Sequence, residues 1–166
     1  MADFDPRRIV MALLDHGVDF VVIGANAAIL QGIAIPATLD FDVTAAVSDA
    51  NRKRLAQALK ELDAKLRLRP GDAPLETPLD ERMLAGVSVV TLMTRYGPFD
   101  VLFEPAGGPP YKELKKRSVE VRAYGVVVRA ASLQDIVAMK RASGREKDLA
   151  HLVILLKHLG DNPTGE

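Results

Sequence analysis

Two neighbouring stretches decide how this chain folds: Phe20-Val-Val-Ile-Gly-Ala-Asn-Ala-Ala-Ile-Leu-Gln-Gly32 and Ala37-Thr-Leu-Asp-Phe-Asp-Val43. The first begins inside a β-branched and aromatic run, Val18 to Ile23, which reads as a strand. Gly24 then permits a sharp turn, and Asn26 to Gln31 reads as a short helix. The second stretch alternates as a strand over Leu39 to Ala45. Side chains alternate faces on a strand, so Asp40 and Asp42 point one way. Leu39, Phe41 and Val43 point the other way, into a core.

Two carboxylates on one face repel, and each raises the other's pKa unless a cation intervenes. A divalent ion with a preference for hard oxygen, Mg2+ or Mn2+, answers both problems. Taken alone, an Asp-x-Asp pair is also what a solvated strand carries. A third acid strengthens the metal reading. Asp100 lies in Phe99-Asp-Val-Leu-Phe103, an apolar strand with one acid inserted, and aspartate is depleted in strands. Asp40, Asp42 and Asp100 on neighbouring strands would hold two divalent ions about 4 Å apart, as in-line phosphoryl displacement uses them. Asp100 would accept the proton of the attacking hydroxyl. Gly24 would let the backbone pass close to a phosphate, with the next helix's first N–H groups aimed at it. An ordinary strand-to-helix turn also needs such a glycine.

Outward from this centre, Pro6 begins a helix with Ile9, Val10, Leu13 and Leu14 at helical spacing, ended by Gly17. Ser48 or Asp49 caps a helix whose inner stripe is Leu55, Ala58, Leu59 and Leu62. Pro70 to Pro78 reads as a mobile loop. Val87 to Met93 and Phe99 to Phe103 read as paired strands joined across Tyr96-Gly97-Pro98. Ala106-Gly-Gly-Pro-Pro is a second loop. Val119 to Arg122 and Val126 to Arg129 form a hairpin turning at Tyr124-Gly125. Ser132 caps a helix to about Ala142, and Gly144 separates it from a last helix ending near Gly160. The tail, Asp161 to Glu166, is expected to be loose.

Lys140 continues the apolar stripe of Leu133, Ile136 and Val137, so it must snorkel or meet a partner. Leu149, Leu152, Val153 and Leu156 define the inner face of the last helix, with Arg145 and Asp148 at its margin. Asp148 is placed to meet Lys140 or Arg145. Either Lys140 contacts nucleotide phosphates with Asp148 orienting it, or the pair ties the two helices together.

These elements resemble the polymerase-β-like nucleotidyltransferases: a strand, a small-residue turn at Gly24-Ala25, a helix, Asp40-Phe-Asp42, then Asp100 on a later strand. More closely, residues 17–45 and 95–156 resemble the bacterial nucleotidyltransferase-like proteins related to AbiEii toxins. In those, a late lysine, then an arginine and a basic-Asp pair, match Lys140, Arg145 and Lys147-Asp148. The resemblance implies an α+β nucleotidyltransferase fold, a mixed sheet flanked by helices with a C-terminal helical pair. It also implies catalytic Asp40, Asp42, Asp100, Lys140 and Asp148, and nucleotide contacts from Gly24, Ala25, Asn26, Thr38, Lys140 and Arg145. The implied substrate is an NTP, whose NMP passes to a hydroxyl of an RNA end, a protein or a small molecule. tRNA or an antitoxin-like protein is the implied partner. The chain departs from the pattern at Ala25, which lacks a serine's hydroxyl, and at Ile35-Pro-Ala37, where relatives carry an arginine. Two other readings stay open: a catalytically weak module of this fold that binds a partner, and a metal-dependent phosphohydrolase.

Composition bounds these readings. At 166 residues, 48% hydrophobic, the chain fits one domain, with a core over about 6–130 and helices over about 132–159. Lys plus Arg equals Asp plus Glu, 22 against 22, so no chain-wide basic grip on nucleic acid exists. Absence of cysteine excludes disulfides, thiol catalysis and cysteine zinc sites. His16, His151 and His158 lie too far apart to chelate as a set. The acidic start lacks a signal-peptide pattern, and the apolar run Phe20 to Ile35 is too short for a membrane span, so a cytoplasmic protein is expected. Basic runs at Arg52-Lys-Arg54, Arg67 to Arg69 and Lys112 to Arg117 are either solvated faces or places for RNA phosphates. The last of these, beside Tyr111, is the best placed of the three.

Overall fold

A computed structural model describes residues 3–69 and 71–161. Met1, Ala2, Pro70 and residues 162–166 of the expected loose tail lie outside the described residues, whereas Asp161 ends the last helix. The first half runs α1 (Pro6–Asp15), β1 (Phe20–Ile23), α2 (Gly24–Leu30), β2 (Phe41–Ala45), α3 (Asp49–Glu61), β3 (Lys65–Leu66) and α4 (Glu81–Ala85). The second half runs β4 (Val89–Thr94), β5 (Gly97–Leu102), α5 (Tyr111–Arg117), β6 (Val119–Ala123), β7 (Val126–Ala130), α6 (Leu133–Ser143) and α7 (Glu146–Asp161). The architecture is α+β with a seven-stranded mixed sheet. Among the described residues, no helix is long and apolar enough to cross a membrane.

The chain divides into two compact units. The first takes the chain up to Phe20 together with Leu39–Phe103. Its strands run β3-β4-β5-β2, with β2 parallel to β5 and both other pairs antiparallel. Alternation sends Phe41, Val43, Val90, Leu92, Phe99 and Val101 to one face, where all are buried. Phe41 and Phe99 sit opposite each other in the ladder, their rings stacked at 6.1 Å. Helix α1 starts where Asp5 accepts the Arg8 N–H and Pro6 fills the first turn. Helix α3 starts at Ser48, which accepts the Asn51 N–H. Asn51 is itself fully buried. It accepts from Asp19 N at 2.7 Å and donates to the carbonyls of Asp19 and Ala46 at 3.0 and 2.9 Å. One side chain thereby bonds three backbone groups of the segments that flank β1 and β2.

The second unit takes Val21–Thr38 and the chain from Glu104 onward. Strand β1 runs parallel to β7, with Val22 opposite Ala130. Strands β6 and β7 form the expected hairpin. Tyr124 and Gly125 both adopt positive φ, +57° and +77°, the combination that a two-residue turn needs to match strand twist. Helix α2 packs on α6, and Gln31 donates to Ala27 O and Ala131 O at 2.9 and 2.8 Å. Ser132 caps α6 as expected, and α6 and α7 form the C-terminal helical pair.

Several expectations need correction. The strand expected from Leu39 begins at Phe41, so Leu39 falls outside the ladder and is 72% exposed rather than buried. Helix α2 starts at Gly24, two residues before Asn26. The β4–β5 turn is Arg95-Tyr96, because Thr94 pairs with Gly97 and Pro98 lies within β5. The inner face of α7 is rotated: Asp148, His151, Leu152 and Leu155 are buried, whereas Leu149, Val153 and Leu156 are exposed.

Candidate functional site

In the first unit the ladder register places Asp42 directly opposite Asp100. Each follows a buried phenylalanine, so each points away from the Phe41–Phe99 face. Thr91, across the antiparallel pair from Asp100, shares that face. Parallel neighbours lie about 4.8 Å apart, so two like charges at paired positions repel. A slip of one residue would bury both acids and expose both rings, so packing on one face fixes the acid pair on the other. Both aspartates are half-buried. Asp40 is also half-buried but precedes β2, outside the paired ladder.

Paired hard-oxygen donors of this kind are what Mg2+ or Mn2+ takes, so these residues fit such an ion. Among the described residues, no three His, Asp or Glu side chains group tightly enough to hold a metal.

In the second unit Gly24 has φ +71°, a left-handed conformation that glycine adopts at no steric cost. It lets α2 start directly on the strand end. Ile23 at its cap supplies no side-chain acceptor to the first N–H groups. Ala25 is buried. Asn26 donates to Thr38 Oγ1 at 3.3 Å, joining two of the expected nucleotide-binding residues.

Lys140 and Asp148 do meet, across α6 and α7. Lys140 Nζ donates to Asp148 Oδ1 at 3.1 Å, and both groups are buried. Arg145 Nε donates to Asp148 Oδ2 at 2.7 Å, and Ser143 Oγ donates to the same oxygen. Burial alone would raise this carboxyl. The hydrogen bonds from Ser143, Arg145 and Lys140 overcome it and hold the group well below the usual carboxylate range.

His151 was not anticipated as part of this cluster. Lys140 Nζ lies 3.1 Å from its Nδ1. Lysine can only donate, so Nδ1 accepts and the ring proton sits on Nε2. Burial, then the Lys140 charge, pushes the imidazole below its ordinary value, and Asp148 only partly opposes them. The signal was present in the sequence: His151 follows Asp148 by three, one helical turn on the same face.

No family model matches this chain, and no curated protein matches it. Solved structures do. A candidate nucleotidyltransferase from Thermotoga maritima aligns with TM-score 0.56 and 16% identity, over 95% of this chain and 97% of that one. The antibiotic-resistance factor ANT(2'')-Ia in solution aligns with TM-score 0.59 and 16% identity, over 94% of this chain and 83% of that one. A crystal structure of ANT(2'')-Ia with adenylyl-2''-tobramycin gives TM-score 0.59 and 14% identity, over 95% and 89% of the two chains. The chain therefore has the nucleotidyltransferase fold.

Proposed function

We propose that the chain is a metal-dependent nucleotidyltransferase, moving a nucleoside monophosphate from an NTP to a hydroxyl acceptor. The observation that carries this reading is the Asp42–Asp100 register pair on one sheet face of a nucleotidyltransferase fold. A divalent ion held by Asp42 and Asp100, with Asp40 beside them in sequence, would neutralise charge on the nucleotide phosphates. In the transfer, the acceptor oxygen bonds to the α-phosphorus, the bond to the β-phosphate oxygen breaks, and pyrophosphate leaves. Asp100 takes the acceptor's proton. Gly24, Ala25, Asn26 and Thr38 supply backbone and side-chain donors to the triphosphate. Lys140 spends two donors on Asp148 and His151, and the third is assigned to a nucleotide phosphate. Arg145 adds a second cation, and Asp148 positions both.

The acceptor class is the finer part of the reading. The AbiEii-related sequence pattern favours tRNA or a partner protein in a toxin–antitoxin pair. The adenylylated tobramycin of one structural neighbour favours a small hydroxyl compound. A competing reading, a weakly catalytic module that binds a partner, is favoured by the finding that, among the described residues, no three acidic or histidine side chains group to hold a metal.

Pyrophosphate release from mixed NTPs, with magnesium and total cellular RNA, protein or metabolites as acceptor, tests the proposal. Wild type should release it, and Asp42→Asn should lose about a hundredfold or more, the scale of removing one electrostatic contributor. Labelled NTP then identifies the acceptor fraction. Phosphate in place of pyrophosphate would indicate a phosphohydrolase. No magnesium-dependent turnover with any acceptor would leave the binding module.

A further inference from the structure

The basic runs of the sequence differ in how the fold treats them. Arg52 bonds Asp49 at 3.1 Å, and Lys53 lies 3.8 Å from Glu81, so that run is met by acids. The run on α5 is arranged otherwise. Leu114 is fully buried and fixes which side of α5 faces inward. Lys112, Lys115 and Lys116, at i, i+3 and i+4, share another side. Arg117 is withdrawn from them by a two-pronged pair with Asp135, at 2.6 and 3.1 Å. Arg129 of β7, held by Glu120 at 2.9 Å and Ser118 at 3.3 Å, faces the three lysines. Lys112, Lys115, Lys116 and Arg129 line an open depression of about 350 Å3. Among the described residues, Lys112 and Lys116 have no ion-pair partner.

Like charges at these spacings repel, and a chain of balanced charge does not gather them by composition. The grouping therefore calls for an anion. Lysines are flexible point charges, suited to phosphate oxygens without base selection. Glu120 already meets the charge of Arg129, which leaves Lys112 and Lys116, one helical turn apart, to meet successive phosphates of a strand, each of one charge. We propose that this depression binds the phosphate backbone of a polynucleotide. The inference stands apart from the transfer chemistry: Asp42→Asn should bind RNA as wild type does, so the two readings fail separately.

Fluorescence anisotropy of a labelled single-stranded RNA with the full chain, at salt between about 50 and 200 mM, tests this. Phosphate contacts from Lys112 and Lys116 contribute about −1.4 to the slope of log affinity against log salt. Lys112→Ala with Lys116→Ala should make the slope shallower by about 1.4 and weaken binding about tenfold at the lowest salt. Lys112→Arg with Lys116→Arg should bind as wild type does, and thermal melts check that all variants fold alike. The proposal is overturned if wild type does not bind at about 50 mM salt, or if the alanine variant binds equally well. It is also overturned if polyglutamate or inorganic phosphate displaces the RNA at equal charge concentration.

Discussion

Asp148 is the residue on which the helical pair turns. Removing one partner of a buried ion pair strands the other, at a cost of about 3–5 kcal/mol. Asp148→Ala leaves Lys140 buried beside a neutral imidazole, so a loss of that size is expected in urea unfolding. Replacing both partners with apolar residues, Lys140→Met with Asp148→Leu, should recover much of it, because neither charge is then buried. If the double variant is no more stable than Asp148→Ala, the pair is not the source of the loss. Both Asp148 and His151 have folded pKa values below their ordinary ones. Each therefore contributes stability that is complete above its unfolded value and lost as pH falls toward its folded value. The His151 contribution begins to fade below about pH 6.5, and that of Asp148 below about pH 3.9. Stability should thus decline from neutral pH downward in two stages. His151→Gln, which does not titrate, should flatten the first stage in denaturation measured across pH 5 to 7, near the ordinary histidine value. An unchanged slope there would assign the first stage to other groups.

Helix α7 separates apolar sequence from buried surface. Its apolar residues outnumber the positions its buried face can take, and their periodicity points to Leu149, Leu152, Val153 and Leu156. The buried face instead follows Asp148 and His151, drawn in by Lys140, with Leu152 and Leu155 alongside. Leu155→Ala should therefore cost about 2–5 kcal/mol, while Val153→Glu should stay within about 0.5 kcal/mol. Unfolding midpoints of the two variants check this, and the reverse order would restore the face read from the apolar pattern. Elsewhere the elements with strong local signals were legible. The Ser48 and Ser132 caps, the Tyr124-Gly125 turn and the alternating β5 each carry a local cause. The alternating pattern runs two residues ahead of β2, so Leu39 matches the inward face in sequence although the strand begins at Phe41. Strand β3 and helices α4 and α5 are too short for periodicity to register. In the site, the faces of Asp42 and Asp100 were readable from alternation. Their shared rung was not, since parallel pairing between distant strands leaves no local trace. The Lys140–Asp148 contact was readable because a lysine on an apolar stripe demands a partner.

At the scale of the whole molecule, the folding free energy carries the site's cost. Phe41 and Phe99 stack on one face of the β2–β5 ladder, and that packing holds two carboxylates opposite each other whether or not a cation is present. The repulsion is a term in overall stability, so an ion that relieves it should raise that stability by mass action. At about ten times its dissociation constant, magnesium would contribute about 1.4 kcal/mol, or about 3–6 °C in melting temperature for a chain of this size. Asp42→Asn removes one of the two charges while keeping shape. It should melt at or above wild type in a metal-free buffer and gain little when magnesium is added. Melting curves of both proteins over a magnesium titration, with ionic strength held constant by sodium, separate this from general screening. Equal magnesium responses in the two proteins would place the ion elsewhere and leave Asp42 and Asp100 as a solvated pair.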